Sequence, residues 1–273
     1  MVKKLFKHEF LAYIRALLPM HLILLGIAAL TRFVCFFEND SPVYNIVFTS
    51  SVIALVIACL VCLGLSFLKV ITRYYKNMFT HEGYLTLTLP VTSVQHIWVK
   101  VTSGVVSILA GFVAIFLAVC VATAGELNIE LIKAAFYLIG VFQKNSDGNY
   151  IYFMIEFMIM AIVALYAVTL LCYACISIGQ LTNKNRVAAA IGVFCAHYFI
   201  TQIISTIIII VSHNYLIEFY DGWFWYILSY LIGARPYIDR HLSIIIPTIV
   251  IALLGWGYFA VSNHILKKKL NLE

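Results

Sequence analysis

The sequence predicts an all-α polytopic membrane protein with six transmembrane helices and an N-terminal interfacial helix. Three observations predict it. Of 273 residues, 63% are hydrophobic and 11% charged, and the mean hydropathy is +1.00, which no soluble domain approaches. Six apolar runs are each long enough to cross a bilayer, at about 20 residues per span. The basic residues cluster between alternate runs, as they do when the membrane sets the topology.

The elements follow in order. Residues 2–17 read as an amphipathic helix, with Val2, Phe6, Phe10, Tyr13, Ile14 and Leu17 on one side and Lys4, His8 and Arg15 on the other. Such a helix lies on an anionic membrane surface, and the spread of charge distinguishes it from a cleavable signal peptide. Pro19 then suits the first turn of a following helix. Spans are expected near 17–37, 46–68, 101–124, 150–178, 187–212 and 242–262. They form one transmembrane domain over 1–273, with an internal loop at 69–100 and an aromatic outer segment at 213–241. The spans leave no stretch long enough for a soluble catalytic domain.

Charge sets the orientation. Lys3, Lys4, Lys7, Arg15, Lys69, Arg73, Lys76, Lys100, Lys184, Arg186 and Lys267 to Lys269 all fall on one side, thirteen of the eighteen basic residues. Only Glu9, Glu82 and Glu273 join them. The positive-inside rule makes this the cytoplasmic side and puts both termini there. The expected location is the cytoplasmic membrane, in multi-pass form. The net charge of +6 thus reports orientation, with lipid as a partner and no nucleic acid. On the other side, 127–142 reads as an interfacial helix interrupted by Glu130 and Lys133. The segment 213–241 carries Trp223, Phe224, Trp225 and Tyr226 in a run of aromatics suited to headgroup depth.

The internal loop is the most distinctive stretch. Lys69, Arg73 and Lys76 share a helix face. Gly83 stands where a C-terminal cap is expected. Thr92 and Gln95 have the spacing of a capping box that starts the next helix. Two helices therefore project from the membrane and meet in an elbow at Glu82. A push on the elbow reaches two spans at once. An ordinary amphipathic surface loop would share these features.

Other constellations are weaker. His197, Thr201 and Ser205 lie near one face of span five with Gln202 beside them, a stripe that either lines a path or bonds to neighbouring helices. Cys59-x-x-Cys62 and Cys172-x-x-Cys175 have metal-ligand spacing, but cysteine is also a common small apolar residue in spans; no metal site is expected. Arg32 and Glu156 either pair or reach the interface separately. Small residues at four-residue spacing, Ala54 and Ala58, Ser103, Ser107 and Gly111, and Ala188 and Gly192, permit close helix packing. No Gly-x-x-x-x-Gly-Lys-Ser/Thr motif occurs, so nucleotide is not held by a P-loop here. No nucleophile with a base and an orienting group stands out, so neither a catalytic residue nor a cofactor is assigned to this chain.

Glu82, Gly83, Leu85, Leu89, Pro90, Val91, Thr92 and Lys100 together resemble the first cytoplasmic loop of ABC exporter permeases. These have six membrane helices per subunit and are typified by bacterial antibiotic and drug exporters. The motif spans about twenty residues, and the six-span layout extends the resemblance along the chain. It implies that the loop forms a coupling helix docking on a separate ATPase subunit, with Glu82, Gly83, Tyr84, Leu85, Thr86, Leu87 and Pro90 as contact residues. ATP and Mg would reside in that partner. It also implies an N-terminal elbow helix, a second permease subunit in a homo- or heterodimer, and spans two and five at the dimer interface and pathway. His197, Thr201, Gln202 and Ser205 are then pathway candidates. A re-entrant outer segment before the last span, with Trp223, Phe224, Trp225 and Tyr226, would cap the exit. The expected function is a transport subunit, not an enzyme, moving a hydrophobic peptide, drug or lipid out of the cell. The competing class is a stand-alone membrane protein, either a secondary transporter or a membrane-embedded enzyme.

Overall fold

The computed structural model is all-helical among its described residues, which are 2–37, 39–80, 83, 91–124, 129, 130, 133, 137, 150–182, 185–215 and 237–268. Six long helices follow one another: α1 Val2–Cys35, α2 Pro42–Phe79, α3 Ser93–Ala122, α4 Tyr150–Gly179, α5 Arg186–Tyr215 and α6 Tyr237–Lys268. Each contains a stretch long and apolar enough to cross a membrane. The chain divides into two compact units, the first holding α1 to α3 and the second α4 to α6.

In the first unit α1 packs chiefly on α3 and then on α2. Its buried face is Glu9, Tyr13, Leu17, Leu24, Ala28 and Thr31, a helical repeat running the length of the element. The interfacial helix expected over 2–17 is therefore continuous with span one, and Pro19 lies inside α1 rather than at a new start. Proline removes one N–H and crowds the carbonyl of residue 15. Here it sits on the exposed side, where that carbonyl has room to tilt outward. Leu24, Ala28, Leu55, Cys62, Ala118 and Ala122 form the apolar core of this unit. The small-residue stripe Ser103, Ser107 and Gly111 is buried. A Cβ on Gly111 would stand 3.2 Å from Ser66 Oγ, so that contact depends on the missing side chain.

The start of α2 is set locally. The Ser41 hydroxyl accepts a hydrogen bond from the Tyr44 amide at 3.2 Å, and Pro42 occupies the first turn, where its missing N–H costs nothing. Residues beyond the expected span, out to Phe79, continue α2 past the apolar run.

In the second unit α4 and α6 form the most extensive pair, and α5 leans on α4. A Cβ on Gly179 would lie 2.8 Å from the Arg186 carbonyl oxygen and the Ala190 amide nitrogen, so α4 and α5 meet closer than any larger residue allows. Asn185, with φ 45°, makes the turn between them; asparagine tolerates that left-handed backbone better than most residues. By contrast, Ala188 and Gly192 face outward. The predicted interfacial helix over 127–142 lies almost wholly outside the described residues.

Candidate functional site

The best-defined polar site is where the N-terminal part of α1 meets the two helices that flank the internal loop. Glu9 lies two helical steps before Leu17 on the buried stripe of α1, so the fold carries its carboxylate inward with Tyr13 and Leu17. Arg73 and Asn77, one turn apart on α2, and Lys100 on α3 converge on it. Glu9 Oε2 accepts from Arg73 Nε at 2.6 Å. Glu9 Oε1 accepts from Lys100 Nζ at 2.6 Å and from Asn77 Nδ2 at 3.2 Å. The Arg73 guanidinium also lies 5.4 Å from the Tyr13 ring centroid. Glu9 and Lys100 are 5% and 2% exposed, so this is a buried ion pair whose partners cannot be exchanged for water. Burial alone would raise the Glu9 carboxyl; the Lys100 ammonium and then the Arg73 guanidinium outweigh it and hold the group below its ordinary value of 4.5. One turn before Lys100, His96 is 1% exposed, and neither ring nitrogen has a hydrogen-bond partner among the described residues.

Sequence reasoning placed Glu9 among the cytoplasmic acids but not at the centre of this hub. It also grouped Arg73 and Lys100 with Lys69 and Lys76 as basic residues of the internal loop. The structure commits Arg73 and Lys100 to Glu9, leaving Lys69 and Lys76 exposed. A signal was present: Glu9, Tyr13 and Leu17 recur every four residues, which puts a carboxylate on the packing face.

The loop ends are fixed by short-range bonds. The Thr80 hydroxyl donates to the Lys76 carbonyl at 2.5 Å, and Thr80 with extended backbone is the C-cap of α2. Gly83 is thus not the cap. Its amide donates to the Thr80 carbonyl at 2.7 Å, and a Cβ there would stand 2.6 Å from the Met78 carbonyl oxygen. Glycine is needed for close backbone approach. The capping box is present in both directions: the Gln95 amide donates to Thr92 Oγ1 at 3.4 Å, and the Thr92 amide to Gln95 Oε1 at 3.2 Å. Glu82, Tyr84, Leu85, Thr86, Leu87, Leu89 and Pro90 lie outside the described residues.

In the second unit the polar stripe of α5 divides. His197 Nε2 hydrogen-bonds the Tyr258 hydroxyl of α6 at 3.1 Å, with the rings edge to face. Thr201, Gln202 and Ser205 bond within α5: the two hydroxyls donate to backbone carbonyls one turn back, and Gln202 Nε2 donates to the Tyr198 hydroxyl. Glu156 of α4 is engaged by His241 of α6 at 2.8 Å, while the Arg32 guanidinium lies 5.0 Å from the Phe36 ring centroid. Each of these charges thus has an interaction within its own unit. All seven cysteines are free; Cys62, Cys172 and Cys175 pack as buried apolar side chains. Among the described residues no three His, Cys, Asp or Glu side chains converge as a metal site would require. Trp223, Phe224, Trp225 and Tyr226 lie outside the described residues, although α5 and α6 extend into the 213–241 segment from either end, to Tyr215 and from Tyr237.

Comparisons with protein-family models, curated proteins and solved structures returned no match.

Proposed function

We propose that this chain is the membrane-spanning permease subunit of an ATP-driven ABC exporter, working with a separate ATPase and a second permease subunit. Six apolar helices make it an integral membrane protein, and the loop motif from Glu82 to Lys100 supplies the resemblance. One observation carries the reading furthest. The helices that the resemblance assigns to the subunit interface, α2 and α5, bury 6% and 0% of their described spans inside the chain, with α6 next at 11%. Apolar faces left open in one chain meet lipid or a second chain.

The Glu9 hub fits the same reading mechanically. It joins α1, α2 and α3 beside the loop, so a partner pressing on residues 82–90 would move three helices as one body. Closure of an ATPase dimer would then switch the pathway between two permease subunits from inward- to outward-open. The substrate class is a hydrophobic or amphipathic peptide, drug or lipid, moved outward with both termini in the cytoplasm. The second reading, a secondary transporter, draws on the His241–Glu156 pair of α4 and α6, since ionisable pairs within spans mark proton relays.

The deciding experiment purifies the tagged chain gently and identifies what accompanies it. A P-loop ATPase should come down with it and hydrolyse ATP faster with substrate present. Glu82→Ala with Tyr84→Ala should weaken that association by about 2–5 kcal/mol if Glu82 is desolvated at the interface, with expression near normal. Ile203→Cys on the exposed face of α5 should cross-link two copies when all native cysteines are removed. A chain that purifies alone and transports in liposomes on a proton gradient would establish the secondary transporter instead.

A further inference from the structure

At the end of the first unit opposite the Glu9 hub, an open groove of 480 Å³ lies between α1 and α3. That volume is within the range of about 300–1,000 Å³ typical of small-molecule sites. Ala29, Phe33 and Phe36 form one wall, spaced along a single face of α1, and Leu117 and Val121 of α3 form the other. The lining is almost wholly apolar. Its one charged group is Arg32, half-buried among these residues three positions before the end of α1. Its guanidinium lies 5.0 Å from the centroid of the Phe36 ring.

We propose that this groove holds one acyl chain of an anionic phospholipid, with the lipid phosphate bound by Arg32. The physical case has three parts. An acyl chain would cover the apolar walls of this groove without desolvating anything polar. Arg32 stands three residues, about 5 Å of helix rise, before the end of α1, where a long cationic side chain can reach the headgroup layer. Its planar guanidinium can take two phosphate oxygens side by side, and it lies against the ring of Phe36, itself a groove residue. A zwitterionic lipid offers the same phosphate, but its own ammonium competes for it. An anionic headgroup leaves the phosphate free. The site stands apart from the internal loop and does not depend on the permease reading.

Native mass spectrometry of the delipidated full-length chain provides the test. The background carries Lys3→Gln, Lys4→Gln and Lys7→Gln, which removes the cationic cluster at the other end of α1. Phosphatidylglycerol and phosphatidylcholine with identical palmitoyl and oleoyl chains are compared. One phosphatidylglycerol per chain should be retained at about tenfold lower concentration than phosphatidylcholine, the scale of one charge-assisted contact. Arg32→Gln should erase that preference while leaving chain binding, and Arg32→Lys should retain part of it. Ala29→Trp, which fills the groove from an exposed position, should abolish retention of both lipids. Equal retention of the two lipids by the unsubstituted groove, or an undiminished preference in Arg32→Gln, would overturn the proposal. So would an Ala29→Trp chain that shifts from dimer to monomer with lipid retention unchanged, because the groove would then be an interface between copies.

Discussion

Glu9 holds together three segments separated by 64 and 91 positions in the chain. Removing its charge strands Lys100 in a nearly dry site, and breaking a buried pair in this way costs about 3–5 kcal/mol. Glu9→Gln should therefore lower the thermal unfolding temperature in detergent markedly, and adding Lys100→Met should recover much of the loss. The pH dependence has a definite sign. A carboxyl held below its ordinary value of 4.5 contributes stability that is complete above that value and is lost as pH falls through the lowered one. The gap between wild type and Glu9→Gln should thus be widest near neutrality and close in acid. A gap that widens on acidification would show that Glu9 is not the ionised partner. None of this was legible at the residue in isolation. An acid in a basic N-terminal segment looks like one more interfacial charge until its four-residue register with Tyr13 and Leu17 is followed into the core.

At the scale of elements, features governed by neighbours were the readable ones. The Thr92–Gln95 capping box needs only four residues of chain and formed as expected. Thr92→Ala removes one side of it and should cost about 1 kcal/mol, seen as a small drop in unfolding temperature with the six-helix content by circular dichroism unchanged. A loss as large as that of Glu9→Gln would mean that Thr92 has a tertiary role beyond the cap. Gly83 was recognised as necessary but for the wrong reason. Sequence pattern favours glycine after a helix because of left-handed backbone, whereas here the constraint is the nearness of the Met78 carbonyl. The join between the interfacial stretch and span one was misplaced for a related reason. Pro19 marks a helix start by local preference, yet the packing stripe from Glu9 to Thr31 runs straight through it. Polar side chains in α5 illustrate the opposite limit. His197 meets Tyr258 across 61 positions, and no periodicity in α5 alone names that partner.

For the whole molecule, the number of spans was legible because hydrocarbon thickness is a strict ruler and apolar runs are long. Which faces remain open was not, since burial depends on how the helices pack around one another. Orientation remains a matter of charge. Single cysteines in a cysteine-free chain should be labelled from the cytoplasmic side at positions 84 and 184, and from the outside at 145 and 220. Labelling of 84 and 145 from the same side would overturn the six-span arrangement.

The unbroken course of α1 has a mechanical consequence. Thirty-four residues of helix make a strut of roughly 51 Å, against a hydrocarbon thickness of about 30 Å. Roughly two-fifths of it therefore stands clear of the oil, and Glu9 pins part of that overhang to its neighbours. Because its buried stripe packs on α2 and α3 from Glu9 to Thr31, such a strut carries its neighbours with it when it tilts. Tilting α1 by about 10° around the Glu9 hub would carry its far tip roughly 7 Å, from the separation of Glu9 and Cys35 along the axis. Small displacements beside the loop would thereby arrive at the opposite membrane face enlarged rather than damped.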